Sequence, residues 1–424
     1  MRQLYSALLY VLSPLLLLRL WLKGRRLPAY RQRWRERFGW YRDLSSPEPG
    51  ALWFHTVSVG EFLAAKALIE HYLYSYDGPV LVTTMTPTGS ERVRAAFGDR
   101  VQHVYLPYDL PVAVKRFLRH VKPRLFICLE TELWPNLLHY CHRQQVPVVL
   151  ANARLSEKSA AGYRKLRSLS SAMLQTIYVA AIQNAADAKR LQSLGLPEHK
   201  ARVIGSIKFD LDLSEEQKAS AAKLREQLGG QAAKVWIAAS THKGEDEIIL
   251  RAFKQLKTQH SALKLILVPR HPERFDAVYQ LCRETNINTG RRSAGEEALC
   301  DILLGDTMGE LLILLGAADF AFIGGSFIDN GGHNYIEAAI WKIPILTGPS
   351  TYNFHEIASM LVAAGGMHIC EDEVALATHA QHWLEDSRAA QAAGERAFSL
   401  ADQNRGAMQK LINIIDAGLL RGSH

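Results

Sequence analysis

Residues 51–61 read Ala-Leu-Trp-Phe-His-Thr-Val-Ser-Val-Gly-Glu, and this order decides the fold. The opening apolar run has no polar face, so it reads as a strand buried on both sides, as in parallel sheets. Residues 62–74 follow with the length of a helix, which places Glu61 at the turn between strand and helix. In an open α/β sheet such turns gather at the carboxyl edge, where ligands bind. A carboxylate there is a candidate general base, and equally a residue that stabilises the start of its own helix.

The same alternation continues along the chain. Strands are predicted at 52–57, 79–84, 101–105, 125–129, 146–152 and 178–183, then at 235–239, 263–268, 287–289, 301–304, 318–323, 344–346 and 367–369. The expected fold class is α/β, two Rossmann-like domains facing across a cleft, preceded by an N-terminal membrane-anchor helix. The boundaries are residues 1–22 for the anchor, 23–205 for the first domain and 206–424 for the second, with the last helix packing back on the first. A length of 424 residues with 48% hydrophobic and 22% charged content suits two or three cores and excludes disorder. Neither half carries GxGxxG, and GxxxxGK[ST] is absent, which disfavours dinucleotide dehydrogenases and P-loop NTPases.

Leu4 to Leu18 is uncharged and almost wholly apolar, and Arg19, Lys23, Arg25, Arg26, Arg31, Arg33, Arg35 and Arg37 follow it. Positive charge after the run, with no cleavage site, marks a retained anchor with the body on the cytoplasmic side and arginines for anionic lipid. The run is short for crossing ~30 Å of hydrocarbon, and an in-plane helix satisfies the same composition. The basic cluster lacks any nucleic-acid-binding motif beside it, so no nucleic acid partner is expected. Five scattered cysteines argue against a disulfide framework. His139, Cys141 and His142 point in different directions on a helix, and Asp210-Leu211-Asp212 leads into a polar helix start, so no metal site is expected.

Several segments fall just after predicted strands. Pro269-Arg270-His271-Pro272 offers a permanent cation suited to phosphate, or a surface arginine. Asp306-Thr307-Met308-Gly309-Glu310 offers a glycine turn with a carboxylate that binds ligand or its own helix N-terminus. Gly324-Gly325-Ser326 to Gly332-His333-Asn334 is a loop that lets backbone approach a ligand, with Asn334 as a cap for a helix at 335–340. Glu337 fits a capping contact or the two hydroxyls of a ribose. In the first half, Thr83 to Ser90 supplies hydroxyls, Glu130-Thr131-Glu132 supplies carboxylates, and Arg154 and Lys208 supply cations.

Taken in order, HTVSVGE, VTTMTPTGSERV, VYLPYDLP, ETELWPN, NARLSEKSAAGY, GSIKFD, VPRHPERF, GDTMGEL, GGSFIDNGGHNYIEA and GPSTYNF resemble the Kdo transferase family of Gram-negative bacteria. The resemblance implies a GT-B fold and inverting transfer of 3-deoxy-D-manno-octulosonic acid (Kdo) from CMP-Kdo to the lipid A precursor lipid IVA. It implies an enzyme of lipopolysaccharide core synthesis at the cytoplasmic face of the inner membrane, with neither metal nor cofactor. It makes Glu61 the base and gives Glu130 and Lys208 the support of the transition state. Pro269, Arg270, Met308, Gly309, Glu310, Asn334, Tyr335, Ile336 and Glu337 would hold CMP. Tyr335 departs from the family's commonest motif, which has proline there. Two other readings compete: a GT-B transferase using a UDP-sugar, separated by which nucleotide protects against heat, and a non-catalytic membrane-tethered binder of nucleotide or lipid. The address yields a test by fractionation: the full chain is expected with membranes, and removal of residues 1–22 is expected to release much of it.

Overall fold

The computed structural model describes residues 1–41 and 49–421. Contacts divide the chain into two compact units, Met1–Asp210 with the chain from Arg405 onward, and Leu211–Asn404. The sequence reading put the boundary between residues 205 and 206.

In the first unit seven parallel strands are β1 (Ala51–His55), β2 (Val80–Thr84), β3 (Gln102–Tyr105), β4 (Pro123–Leu129), β5 (Val148–Ala153), β6 (Val179–Ile182) and β7 (Ala201–Val203). Their order is β3-β2-β1-β4-β5-β6-β7. Every residue of β1 is buried because helices cover both faces. Trp53 stacks on Phe126 of β4 with ring centroids 3.7 Å apart, and its indole N–H donates to the Thr83 hydroxyl at 2.8 Å. The order reverses between β1 and β4, so the loops that follow these two strands share the switch point of the sheet. Strand β7 escaped sequence prediction because it is three residues long, and Arg202 and Val203 face solvent.

Helix Ala407–Arg421 belongs to this unit. Its Ala407, Leu411, Ile412 and Ile415 join the core that contains Leu52, Phe54 and Ile127. Two polar clamps hold it: the Tyr72 hydroxyl donates to Asp416 at 2.8 Å, and the Asp210 carboxylate accepts from the amides of Gly406 at 2.5 Å and Met408 at 2.7 Å. Asp210, the first residue of the DxD triplet, thus has a structural task.

The second unit repeats the plan with β8 (Lys234–Thr241), β9 (Leu263–Pro269), β10 (Thr289–Arg291), β11 (Ile302–Leu304), β12 (Phe320–Ile323), β13 (Ile345–Thr347) and β14 (Met367–Ile369). The order is β10-β11-β9-β8-β12-β13-β14, with its switch point between β8 and β12. The predicted strand at 287–289 pairs instead from Thr289 to Arg291, opposite Ile302 to Leu304. Polar residues 211–233 hold helix Glu215–Gln227, opened by a reciprocal Ser214–Gln217 capping box.

Glycines on two helices carry opposite expectations. A β-carbon at Gly394, within helix Ser387–Gln403, would run into the carbonyl of Lys342, whereas one at Gly162, within helix Glu157–Arg164, would meet nothing within 4 Å. Gly394→Ala is expected to destabilise the fold by about 1–3 kcal/mol. Gly162→Ala should leave it unchanged or raise stability by about 0.5–1 kcal/mol. Denaturant melts of the two variants measure both signs.

Candidate active site

Helix Val59–Ser75 begins three residues before the predicted start at Phe62, because Ser58 supplies the capping oxygen. Glu61 therefore sits inside the first turn. Its Oε2 accepts the Val57 amide at 2.7 Å, and its Oε1 accepts the Ser58 hydroxyl at 2.9 Å. Its own amide donates to Ser58 Oγ at 3.4 Å. These bonds fix the carboxylate. Burial raises its pKa above the ordinary carboxylate range, and the negative charge of Glu130 adds to the rise.

Glu130 follows β4, across the switch point. Its backbone adopts a left-handed φ of 54°, an uncommon conformation for a side-chain-bearing residue and one met at functional sites. Two cations hold its carboxylate: Arg154 at 3.0 Å and Lys208 at 3.3 Å. Lys208 lies on a single turn, Ile207–Phe209, tied to the end of β5 where Asn152 Oδ1 accepts the Ile207 amide at 3.2 Å. Chain positions 61, 130, 154 and 208 thus meet at one sheet edge.

Glu132 belongs to this group, although sequence reasoning assigned it no role. Trp134 donates its indole N–H to Glu132 at 3.1 Å. Burial, then the charge of Glu61, pushes its carboxyl up to about 7. The available signal was the second carboxylate of Glu130-Thr131-Glu132. The hydroxyls of Thr83 to Ser90 are largely absorbed by structure: Thr83 receives Trp53, Thr86 caps helix Pro87–Phe97, and Ser90 bonds Arg33 and His103.

In the second unit Pro269 closes β9, and the Arg270 amide donates to the Thr241 carbonyl at 2.9 Å. Arg270 lies close enough to Glu337 to lower its carboxyl, although burial dominates and raises it. Asn334 joins them: its Nδ2 donates to Glu337 at 3.3 Å and its Oδ1 accepts the Ile336 amide at 3.2 Å. The helix behind them is one turn, Ile336–Ala339, shorter than predicted. Its dipole is correspondingly small.

The Gly-rich loop differs from expectation in a second way. Buried Glu245 accepts the amides of Gly325, Ser326 and Phe327 at 2.7, 2.9 and 2.9 Å, and that of His242 at 2.9 Å. These amides are spent on an internal carboxylate. Nothing in the sequence near Glu245 announces this partnership, which joins residues about eighty positions apart.

Tyr335 is fully buried, with its hydroxyl 3.3 Å from that of Thr347 and its ring edge-on to Phe354. The departure from the family motif is accommodated in the core. Ile336 is buried beside it. Met308 is half exposed, Gly309 takes φ 87°, and Glu310 pairs with Arg292 at 3.0 Å and accepts the Thr307 hydroxyl. Beside Arg270 the structure also places three imidazoles. His242 and His333 approach to 2.9 Å between their Nε2 atoms, and His271 lies edge-on to His242. Burial and the charge of Arg270 push His333 down to about 3, so it is neutral at physiological pH. Among the described residues no group of three or more His, Cys, Asp or Glu side chains could hold a metal ion.

A family profile described as 3-deoxy-D-manno-octulosonic-acid transferase (kdotransferase) matches residues 32–211. The 3-deoxy-D-manno-octulosonic acid transferase of Haemophilus influenzae is 41% identical over 421 residues, covering 98% of each chain. The chain belongs to the Kdo transferase family. The family's Bordetella pertussis enzyme is 34% identical over 430 residues, covering 98% of this chain and 99% of the relative. Among solved structures, the UDP-GlcNAc 2-epimerase of Neisseria meningitidis matches with TM-score 0.57 and 15% identity, over 88% of this chain and 100% of that one. That likeness concerns fold alone, the two Rossmann-like units of GT-B. As a Kdo transferase family member the chain is a glycosyltransferase.

The environment of Glu132 predicts a pH dependence of stability. Its carboxyl ionises near the ordinary 4.5 when unfolded and near about 7 when folded. Between those values the unfolded chain has lost a proton that the folded chain retains, so this group makes stability fall as pH rises through the window. Glu132→Gln is expected to flatten that part of the profile and to melt above the unsubstituted chain at pH 8. Parallel melting profiles from pH 4 to 8 would show that Glu132 titrates normally in the fold.

Proposed function

We propose that this chain transfers Kdo from CMP-Kdo to a sugar hydroxyl of lipid IVA, with inversion, in lipopolysaccharide core synthesis. The observation that carries the reading is Glu61, a carboxylate of raised proton affinity fixed by two hydrogen bonds at a sheet switch point. It takes the proton of the acceptor hydroxyl as that oxygen bonds to the anomeric carbon of Kdo. The bond from the same carbon to the CMP phosphate breaks, and CMP leaves with the electron pair. One displacement inverts the centre and requires no covalent enzyme intermediate.

Lys208, held against Glu130, supplies fixed charge for the transition state, and the pairing keeps its ammonium oriented. CMP belongs to the second unit. Arg270 meets its phosphate, the backbone around Pro269, Met308, Gly309, Tyr335 and Ile336 frames it, and Asn334, Glu337 and Glu310 supply polar contacts. On this reading the first unit binds acceptor and the second binds donor. Arginine neutralises the single phosphate of the leaving group, so the chemistry requires neither metal nor cofactor.

Helix Arg2–Arg26 anchors the enzyme at the cytoplasmic face of the inner membrane, where its acylated acceptor resides. Its apolar window has mean hydropathy 1.6 and is 11% buried. Arginines beyond it meet anionic head groups.

The decisive assay uses Glu61→Gln with CMP-Kdo and lipid IVA. Loss of the base is expected to lower kcat by about 10²–10⁴-fold. Protection of the fold by CMP should persist, because the variant leaves the second unit intact. Near-normal turnover would remove Glu61 from the role.

A further inference from the structure

We infer that the N-terminal helix lies flat in one membrane leaflet, between the first unit and the lipid, and does not cross the bilayer. The inference rests on the anchoring reading above and adds the helix's orientation. Burial along the helix follows a helical stripe: Arg2, Ser6, Leu9, Ser13, Leu20 and Gly24 are buried or half-buried. Spacings of three, four and seven put these positions on one face. That face meets the protein from the first turn to the last.

At the start, the Arg2 guanidinium donates to Asn136 Oδ1 at 2.9 Å and the Ser6 hydroxyl to the same oxygen at 3.0 Å. Tyr5 hydrogen-bonds Asp109, whose carboxylate also accepts the amides of Asn136 and Leu137 at 2.8 and 2.7 Å. Midway, the Val112 amide donates to the Tyr10 hydroxyl at 3.4 Å. Near the end Leu20 is buried, and Arg31 donates to the Trp21 carbonyl at 3.4 Å. A helix of 25 residues is about 37 Å long, more than the hydrocarbon thickness of ~30 Å. Crossing would carry Arg2, Tyr5 and Ser6 to the far side. Buried Asp109 and Asn136 would then lose these partners, a penalty that in-plane packing avoids.

The opposite face identifies its occupant. Leu4, Leu8, Val11, Leu15, Leu18 and Leu22 are exposed, an apolar arc running the length of the helix. Cations flank it at the C-terminal end: Arg25 and Arg31 lie over the Trp21 ring at 4.4 and 5.1 Å. An apolar arc with an aromatic and cations at its margin fits the boundary between acyl chains and anionic head groups.

Sidedness labelling tests this on the full chain. All five native cysteines are buried, so a membrane-impermeant maleimide reads an introduced thiol. One form carries a cysteine on a short Gly-Ser extension ahead of Met1, and the other is Gln409→Cys, on the exposed side of the last helix. In membranes that retain the chain, both thiols are expected to be protected in intact spheroplasts and labelled in inverted vesicles. Labelling of the N-terminal thiol alone in spheroplasts would establish a crossing helix and overturn the inference while leaving anchoring intact. A chain missing from the membrane pellet would overturn both.

Discussion

Burial of both sheets on both faces is the constraint from which the rest follows. The strands β1, β4, β8 and β9 are lined mostly by buried apolar side chains, and the charges they carry, Arg124, Lys234 and Lys264, lie near their starting ends. Chemistry is displaced to the strand ends. At a parallel sheet's switch point two consecutive loops diverge to opposite faces, leaving a gap that long polar side chains can enter. Glu61 and Glu130 come from the two strands at that point in the first unit. His242 and the Gly-rich loop come from the corresponding two in the second.

Carboxylates do two kinds of work in this molecule, and their environments separate them. Glu245 and Asp210 are surrounded by backbone amides and act as braces. Both are committed to building. Glu61 and Glu132 are carboxylates whose burial raises their proton affinity above the ordinary range, while Glu130 is paired with two cations.

Strand existence was legible in the sequence because long apolar runs permit few alternatives. All the central strands of both sheets lie where alternation placed them, whereas short β7 and the shifted β10 carry too little apolar signal. The site was legible as a set of loops. What escaped reading was pairing across the chain: Glu245 filling the Gly-rich loop, His242 against His333, and Lys208 brought to Glu130 by Asn152. Each joins residues from 55 to 91 positions apart, a distance over which side-chain type alone gives no register. Ser58 shows the local version of the problem. A cap and a strand-end serine look alike until the helix is seen to begin at Val59.

The position of helix Ala407–Arg421 has a consequence for biosynthesis. The face of the first sheet formed by Leu52, Phe54 and Ile127 is covered partly by helices Val59–Ser75 and Pro87–Phe97 and partly by helix Ala407–Arg421, which emerges from the ribosome after the whole second unit. The earlier-synthesised unit is therefore the later one to be completed, and the part of that face awaiting helix Ala407–Arg421 needs shelter throughout elongation.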